Sequence, residues 1–374
     1  MCTKKMKILI LGFTKIKYMP YLNFYLDNID KKSNEVHLLY WNRDTKEEAL
    51  SQEVIYHEFR RYQEDDKKKI KKLSSFFAYR RFALSCIRKI QPDRIIFMHT
   101  LPGVLLSKKL VKKFKGKFIY DYRDITYEYF SPFRKIVHKL VKASFATFVS
   151  SDAFRIYLPK SEEDKIHTTH NILMESLAHR EEKESSGICS EKIRIAFWGF
   201  IRHEEINREI INKISRDERF ELHYYGREQE IAINLKKYAD DIRAKNVFFH
   251  GEYKPEDRYV FVRETDIIHN IYCDENMMLA MPNKYYDGLI FYLPQLCLEG
   301  SFMGNQAEKN KVGYTCDPKA EDFTQRIYEY YQALSKKDFK VACDEELDRV
   351  MWEYEQACTF LKNFLSNENL CEVL

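Results

Sequence analysis

Residues 281–297 read MPNKYYDGLIFYLPQLC, and this stretch predicts a helix followed by a buried strand. Pro282 suits the first turn of a helix, where a missing N–H costs nothing. Asn283 and Lys284 then lie at the positive end of that helix, where free backbone N–H groups favour an anion. Asp287 follows Lys284 by one turn, so Asn283, Lys284 and Asp287 share one helical face. Leu293-Pro294-Gln295-Leu296-Cys297 is a short turn into an apolar strand. An ammonium with a carboxylate one turn on suits a phosphate and a ribose: the first pairs with phosphate, the second accepts from sugar hydroxyls. The competing reading is an ordinary amphipathic helix packed on a sheet.

Upstream of this stretch, apolar runs alternate with helical patterns. Ile193–Trp198 is a strand ended by Gly199, and Phe220–Tyr225 is a strand ended by Gly226. Val247–His250 and Asp266–Asn270 are two more. The charged, aperiodic segment 178–191 (AHREEKESSGICSE) precedes this series and reads as a linker. A similar series fills the first half. Lys7–Leu11 is a continuous apolar run that reads as a central parallel strand. Its single Gly12 excludes a dinucleotide fingerprint, which needs three glycines. Gly12, Lys15 and Lys17 follow that strand as site candidates. Further strands are expected at 35–40, 54–59, 93–99, 117–122 and 146–150. His99 and the cluster Asp121-Arg123-Asp124 then stand at strand ends, where open α/β sheets place ligands. For Arg123 and Asp124, a mutual salt bridge or a helix cap is the alternative to a catalytic role. Two strand–helix series without detectable repetition predict two Rossmann-like domains, over 1–180 and 188–345, with a C-terminal helical segment at 346–374.

Residues 65–90 predict a basic amphipathic helix. Ile70, Leu73, Phe76, Phe77, Leu84 and Ile87 recur at helical spacing among nine Lys and Arg. Such a helix either lies on an anionic membrane surface or covers the sheet with a solvated basic face.

Composition narrows the class. The chain has 374 residues, 45% of them hydrophobic, with 62 Lys and Arg against 57 Asp and Glu. That supports real cores and excludes a disordered chain. The nine cysteines show no CxxC pair and no Cys/His cluster, so neither a disulfide framework nor a zinc site is indicated. The apolar run at the N-terminus is too short for a signal peptide or a span. A cytoplasmic protein, soluble or peripheral on the inner face of the plasma membrane, is expected.

The segment 281–297 resembles the PNKxYExLxxGxPVI element of GT-B glycosyltransferases, of the family-four-like kind that builds bacterial surface polysaccharides. In that family the acidic residue, here Asp287, holds the ribose of a nucleotide-sugar, and the lysine, here Lys284, helps hold the diphosphate. This chain has Asp where the family has Glu, Tyr292 where it has Gly, and Leu279 in place of a paired glutamate. Trp198-Gly199-Phe200-Ile201-Arg202 is similar to the family's GxIR loop, which gives Gly199 a close approach to the diphosphate and Arg202 a charge for the leaving phosphate. Gly226-Arg227 and His250-Gly251-Glu252 match its strand-end glycines. Tyr120–Asp124 (YDYRD) resembles an acceptor-side segment. Residues 166–172 (IHTTHNI) resemble the segment that closes the first domain, and Trp352-Glu353 resembles a C-terminal element.

The resemblance implies an α/β fold of two Rossmann-like domains facing across a cleft, with the C-terminal helix crossing back to the first. It implies transfer of a sugar from a UDP- or GDP-type donor to a glycan or polyprenyl-linked glycan, with retention, in capsule, O-antigen or exopolysaccharide synthesis. His99, Asp124, Arg202 and Lys284 are the candidate catalytic residues. Gly12, Gly199, Arg202, Gly226, Asn283, Lys284 and Asp287 are the candidate nucleotide-binding ones. No resident metal or cofactor is expected. A sugar-nucleotide epimerase of the same fold and an inactive sugar-nucleotide-binding subunit are the alternatives.

Overall fold

A computed structural model describes residues 5–48, 50–63, 73–182 and 191–366. The chain forms two compact units, Met1–Asn171 with Trp352–Leu374, and Ile172–Met351. The first division thus falls at residue 171, nine positions before the 180 expected from the linker's composition, because the segment Met174–His179 packs with the second unit.

In the first unit, β1 (Met6–Leu11), β2 (Asn34–Asn42), β3 (Ile55–Arg60), β4 (Arg94–Met98), β5 (Phe118–Tyr122), β6 (Ala146–Val149) and β7 (Ile166–Thr168) form one sheet. Its order is β3-β2-β1-β4-β5-β6-β7, and every pairing is parallel. The helices are α1 (Leu22–Asn28), α2 (Leu73–Ile90), α3 (Thr100–Lys113) and α4 (Ser131–Ala143). Parallel strands need helical crossovers, so both faces are covered and the strands are apolar throughout. On one face Ile8, Ile10, Leu38, Ile96 and Phe148 pack with Leu22 and Tyr25 of α1. On the other, Trp41 stacks on Tyr79 of α2 at 5.9 Å.

The second unit repeats the design with β8 (Ile193–Trp198), β9 (Phe220–Tyr225), β10 (Val247–Gly251), β11 (Ile267–Asn270), β12 (Gln295–Leu298) and β13 (Gly313–Cys316). Their order is β10-β9-β8-β11-β12-β13, again all parallel. Its helices are α5 (Glu204–Ile214), α6 (Glu230–Asp241), α7 (Arg258–Glu264), α8 (Asn283–Ile290), α9 (Phe302–Lys309) and α10 (Phe323–Ala333).

The last helix, α11 (Lys336–Ser366), is longer than the 345–365 pattern and leads the chain from the second unit back into the first. Its Leu361 and Phe364 join the core that contains α1. Within the first unit its Glu353 meets His170 Nε2 at 2.6 Å, while Trp352 is exposed.

In each sheet the strand order reverses beside the first strand: between β1 and β4 in one, between β8 and β11 in the other. Crossovers leave that reversal point in opposite directions, which opens a crevice at the carboxyl ends of the strands. Gly12 and His99 follow β1 and β4. Gly199 follows β8, and Ile271–Tyr272 follow β11.

Candidate functional site

The second unit gathers most of the expected residues at its reversal point. Gly199 leaves β8 with φ +119°, a conformation that side chains rarely adopt. Its N–H donates to Tyr225 O at 2.9 Å, and the N–H of Gly226 donates to Gly251 O at 2.8 Å. A Cβ on Gly226 would stand 2.3 Å from the Gly199 oxygen. The three strand ends are therefore knit together by backbone, with no room for a side chain at Gly226.

Against this edge stands α8. Pro282 occupies its N-cap with extended backbone, so Asn283 opens the helix. Lys284 is only 8% exposed. Its Nζ donates to Trp198 O at 2.8 Å, lies 3.8 Å from the centre of the Phe197 ring and 5.1 Å from that of Tyr272. Aromatic faces offset part of the lost hydration of a cation. Burial nevertheless pushes the lysine pKa down to about 7, with Asp287 opposing the shift and Arg202 adding to it. Nζ lies close to Gly199, 3.6 Å from where a Cβ there would stand, an ordinary van der Waals distance, so it is the positive φ and not the lysine that calls for glycine at 199.

Asp287, one turn on, is 2% exposed. Its carboxylate accepts from Trp198 Nε1 at 2.9 Å, and Arg258 Nη1 lies 3.7 Å away. Burial raises its pKa, while Arg258 and the indole N–H hold it down. Arg202 is exposed in the loop after β8, its guanidinium 4.9 Å from the Phe200 ring. Arg227 approaches the same ring at 5.7 Å.

Sequence reasoning passed over Trp198 and Arg258 as the partners of Asp287, and Phe197 and Tyr272 as the seat of Lys284. Alternation along β8 marks Phe197 and Trp198 as facing opposite sides, but nothing in the KPEDR context of Arg258 points to a carboxylate 29 positions later.

In the first unit, His99 and Asp124 come together. His99 has φ +76°, strained backbone of the kind concentrated at functional positions. Its Nδ1 is 3.3 Å from Asp124 Oδ2, and its Nε2 is hydrogen-bonded to the Tyr21 hydroxyl. A proton on Nδ1 facing the carboxylate leaves Nε2 to accept from the phenol. Asp124 is exposed. The mutual Arg123–Asp124 salt bridge, one of the alternatives the sequence leaves open, gives way to a different pair. Arg123 is buried and pairs with Asp121 at 3.0 Å, and it also donates to Asn171 Oδ1 at 2.7 Å and Thr169 Oγ1 at 2.9 Å. Strand alternation decides this, since Asp121 points inward with Arg123 and Asp124 points to the edge.

Gly12 ends β1, its N–H donating to Leu39 O at 2.8 Å and its carbonyl accepting from the Tyr79 hydroxyl at 2.8 Å. Lys15 is 2% exposed and bonds Asp44 at 2.5 Å and Lys46 O at 3.1 Å. These bonds make Lys15, one of the site candidates after β1, a brace for the 42–48 loop. Of the basic helix expected over 65–90, residues 65–72 lie outside the described part, and α2 carries the remainder.

The paired Rossmann-like units define the GT-B fold. The chain superposes on sucrose-phosphate synthase from Thermosynechococcus elongatus with a TM-score of 0.72 at 9% identity, over 97% of this chain and 100% of that one. Anabaena HepE, solved in complex with UDP-glucose, gives 0.67 at 11% identity over 96% and 100%. UDP-N-acetylglucosamine 2-epimerase from Rickettsia bellii gives 0.61 at 11% identity over 96% and 99%. At these identities the likeness is one of fold. No family model matches the chain, and no curated protein matches it by sequence.

Proposed function

We propose that this chain is a glycosyltransferase that takes a sugar from a nucleoside diphosphate donor, of the UDP or GDP type, and passes it to a glycan or polyprenyl-linked glycan in surface polysaccharide synthesis. The observation that carries this reading is the arrangement at the reversal point of the second sheet. Lys284 and Asp287 share one face of α8, beside the side-chain-free strand ends at Gly199 and Gly226. Charge develops on the leaving diphosphate in the transition state, and cations already held in place stabilise it. Lys284 and Arg202 are the cations for that task, Asp287 the acceptor for ribose hydroxyls, and Asn283 opens the helix whose free N–H groups favour an anion. HepE, which shares the fold, was solved with UDP-glucose, and this supports a nucleotide-sugar as donor.

The first unit is assigned the acceptor side, with His99 and Asp124 as its working pair and Tyr21 orienting the imidazole. The reading includes retention of anomeric configuration, chemistry that needs no resident metal, and peripheral docking on an anionic membrane through 65–90. Among the described residues no helix is long and apolar enough to cross a membrane.

The test incubates purified protein with UDP- and GDP-sugars and follows nucleoside diphosphate release. Release coupled to transfer, or to slow hydrolysis without acceptor, is the expected result. A new epimer in the absence of acceptor would assign the epimerase reading, which the Rickettsia bellii neighbour shares in fold. Binding with no turnover of any donor would leave a binding subunit.

A further inference from the structure

The three helices α2, α3 and α4 form one outer layer of the first unit, with α3 packed against both of the others. Each carries four Lys or Arg and no Asp or Glu. A chain with 62 basic and 57 acidic residues would place acids among them if the face were simply solvated. Other helices bring the two signs together: α5 pairs Glu204 with Arg208, and Asp322, the N-cap residue of α10, lies 3.7 Å from Arg326. The layer is therefore a segregated cationic face. Between α2 and α3 a groove of about 890 Å³ is lined by Arg80, Arg81 and Arg88 on one side and Lys108, Lys109 and Lys112 on the other, with no carboxylate in its lining.

Large apolar side chains stand exposed on the same layer. Leu73 and Phe77 project from α2, and Tyr129 and Phe130 precede α4, at 50%, 62%, 66% and 58% exposure. Water-exposed aromatics beside unpaired-sign cations fit an interface in which the rings enter an apolar boundary while the cations meet phosphates. A nucleic acid would satisfy the cations but not Leu73.

We infer that the α2–α3–α4 layer is a docking surface for an anionic phospholipid bilayer, with α3 at its centre and the α2–α3 groove receiving lipid phosphates. The inference extends the membrane part of the reading above from one helix to three, and places its strongest group on a helix outside residues 65–90. Phosphate oxygens reach into the groove from the headgroup plane. Each cation near such a surface adds an attraction that salt screens.

The test is co-sedimentation of the full chain with vesicles of phosphatidylcholine alone or of phosphatidylcholine mixed with phosphatidylglycerol. Binding is expected only to the second, and it should weaken as salt rises. Lys108→Glu, Lys112→Glu and Lys113→Glu together should lower the partition coefficient by roughly tenfold or more. The equally charged change at Lys236, Lys237 and Lys245 in the second unit should leave it unchanged. A triple Lys→Gln variant on α3, with native thermal unfolding, covers the case in which reversal disturbs the fold. Equal binding to both vesicles, equal effects of the two triples, or tighter binding to duplex DNA than to vesicles at one salt concentration would overturn the inference. Nucleotide-sugar binding, read by thermal shift on the same variants, reports separately on the donor site.

Discussion

The carbonyl oxygen of Gly199 occupies the space that any side chain on Gly226 would need, 2.3 Å from where its Cβ would stand. That oxygen is backbone, so it cannot rotate away; the next neighbours are the Ile201 side-chain carbons at 3.1 and 3.3 Å. Gly226→Ala should force the ends of β8 and β9 apart and destabilise the protein by about 1–3 kcal/mol, the usual range for overpacking. Because the displaced strand end also carries the loop to Arg202, nucleotide affinity should fall with it. Urea unfolding and calorimetric titration of UDP check the two effects. An alanine variant with native stability would mean that the strand ends are looser than this contact requires.

Lys284 makes donor binding depend on pH. Its ammonium is held near a pKa of about 7 by burial, and only the charged form attracts a diphosphate. A nucleotide-sugar keeps both its diphosphate charges across neutrality, so the lysine is the titrating partner. Apparent affinity falls by the fraction of competent protein, which makes binding roughly tenfold weaker near pH 8 than near pH 6. Lys284→Met should bind weakly at both. Stability moves the other way. The folded value lies below the lysine's usual 10.5, so the unfolded chain binds more protons between about pH 7 and that value, and stability rises with pH through this window. The cost is fully present below pH 7. Chemical denaturation of wild type and Lys284→Met across this range would show it, since the methionine variant lacks the slope.

The strands were legible because parallel sheets bury both faces and leave continuous apolar runs, as in Ile193–Trp198. β13 escaped notice: Gly313–Cys316 buries only its two ends, and four residues with one β-branched side chain carry no pattern. The start of α11 was hidden for a related reason, since Lys336, Lys337, Asp338 and Lys340 mask the helical spacing of Phe339 and Cys343. The departure at Tyr292 proves informative. It has φ +53°, so the backbone there asks for the glycine that the resembling family has. The tyrosine is held by Arg180 Nε at 2.6 Å and by Asp344 Oδ1 at 2.8 Å. Motifs show which residue types recur, but not partners such as Arg258 that arrive from another helix.

His99 provides a separable test of the first unit. General acid–base or positioning groups commonly contribute 10²–10⁴-fold to a rate. His99→Ala should therefore reduce sugar transfer by about 10²-fold or more, while nucleotide affinity in the second unit stays within about twofold. Asp124→Asn keeps the size but removes the charge facing Nδ1, and should produce a smaller loss. Tyr21→Phe removes the bond to Nε2 and should act in the same direction. A His99→Ala variant with full transfer activity would reduce the His99–Asp124 contact to a brace for the start of α3.

Asp287 has two possible duties, and its burial sharpens the choice. A carboxylate with 2% exposure that accepts from the Trp198 indole could serve only to fix α8 against β8. If that is its whole role, Asp287→Asn and Trp198→Phe each lower stability, and donor affinity falls only as the fold loosens. If it also receives ribose hydroxyls, Asp287→Asn weakens one charge-assisted pair of about 1.5–3 kcal/mol, a loss of about tenfold or more in nucleotide-sugar affinity. Trp198→Phe then costs stability without a matching loss of affinity, because it leaves the carboxylate charged beside Arg258. The comparison is best made with uridine or guanosine nucleotides against their 2′,3′-dideoxy counterparts. Wild type should favour the ribose form, and Asp287→Asn should bind both about equally. A variant that still discriminates as wild type does would assign ribose recognition to another residue and leave Asp287 as a brace.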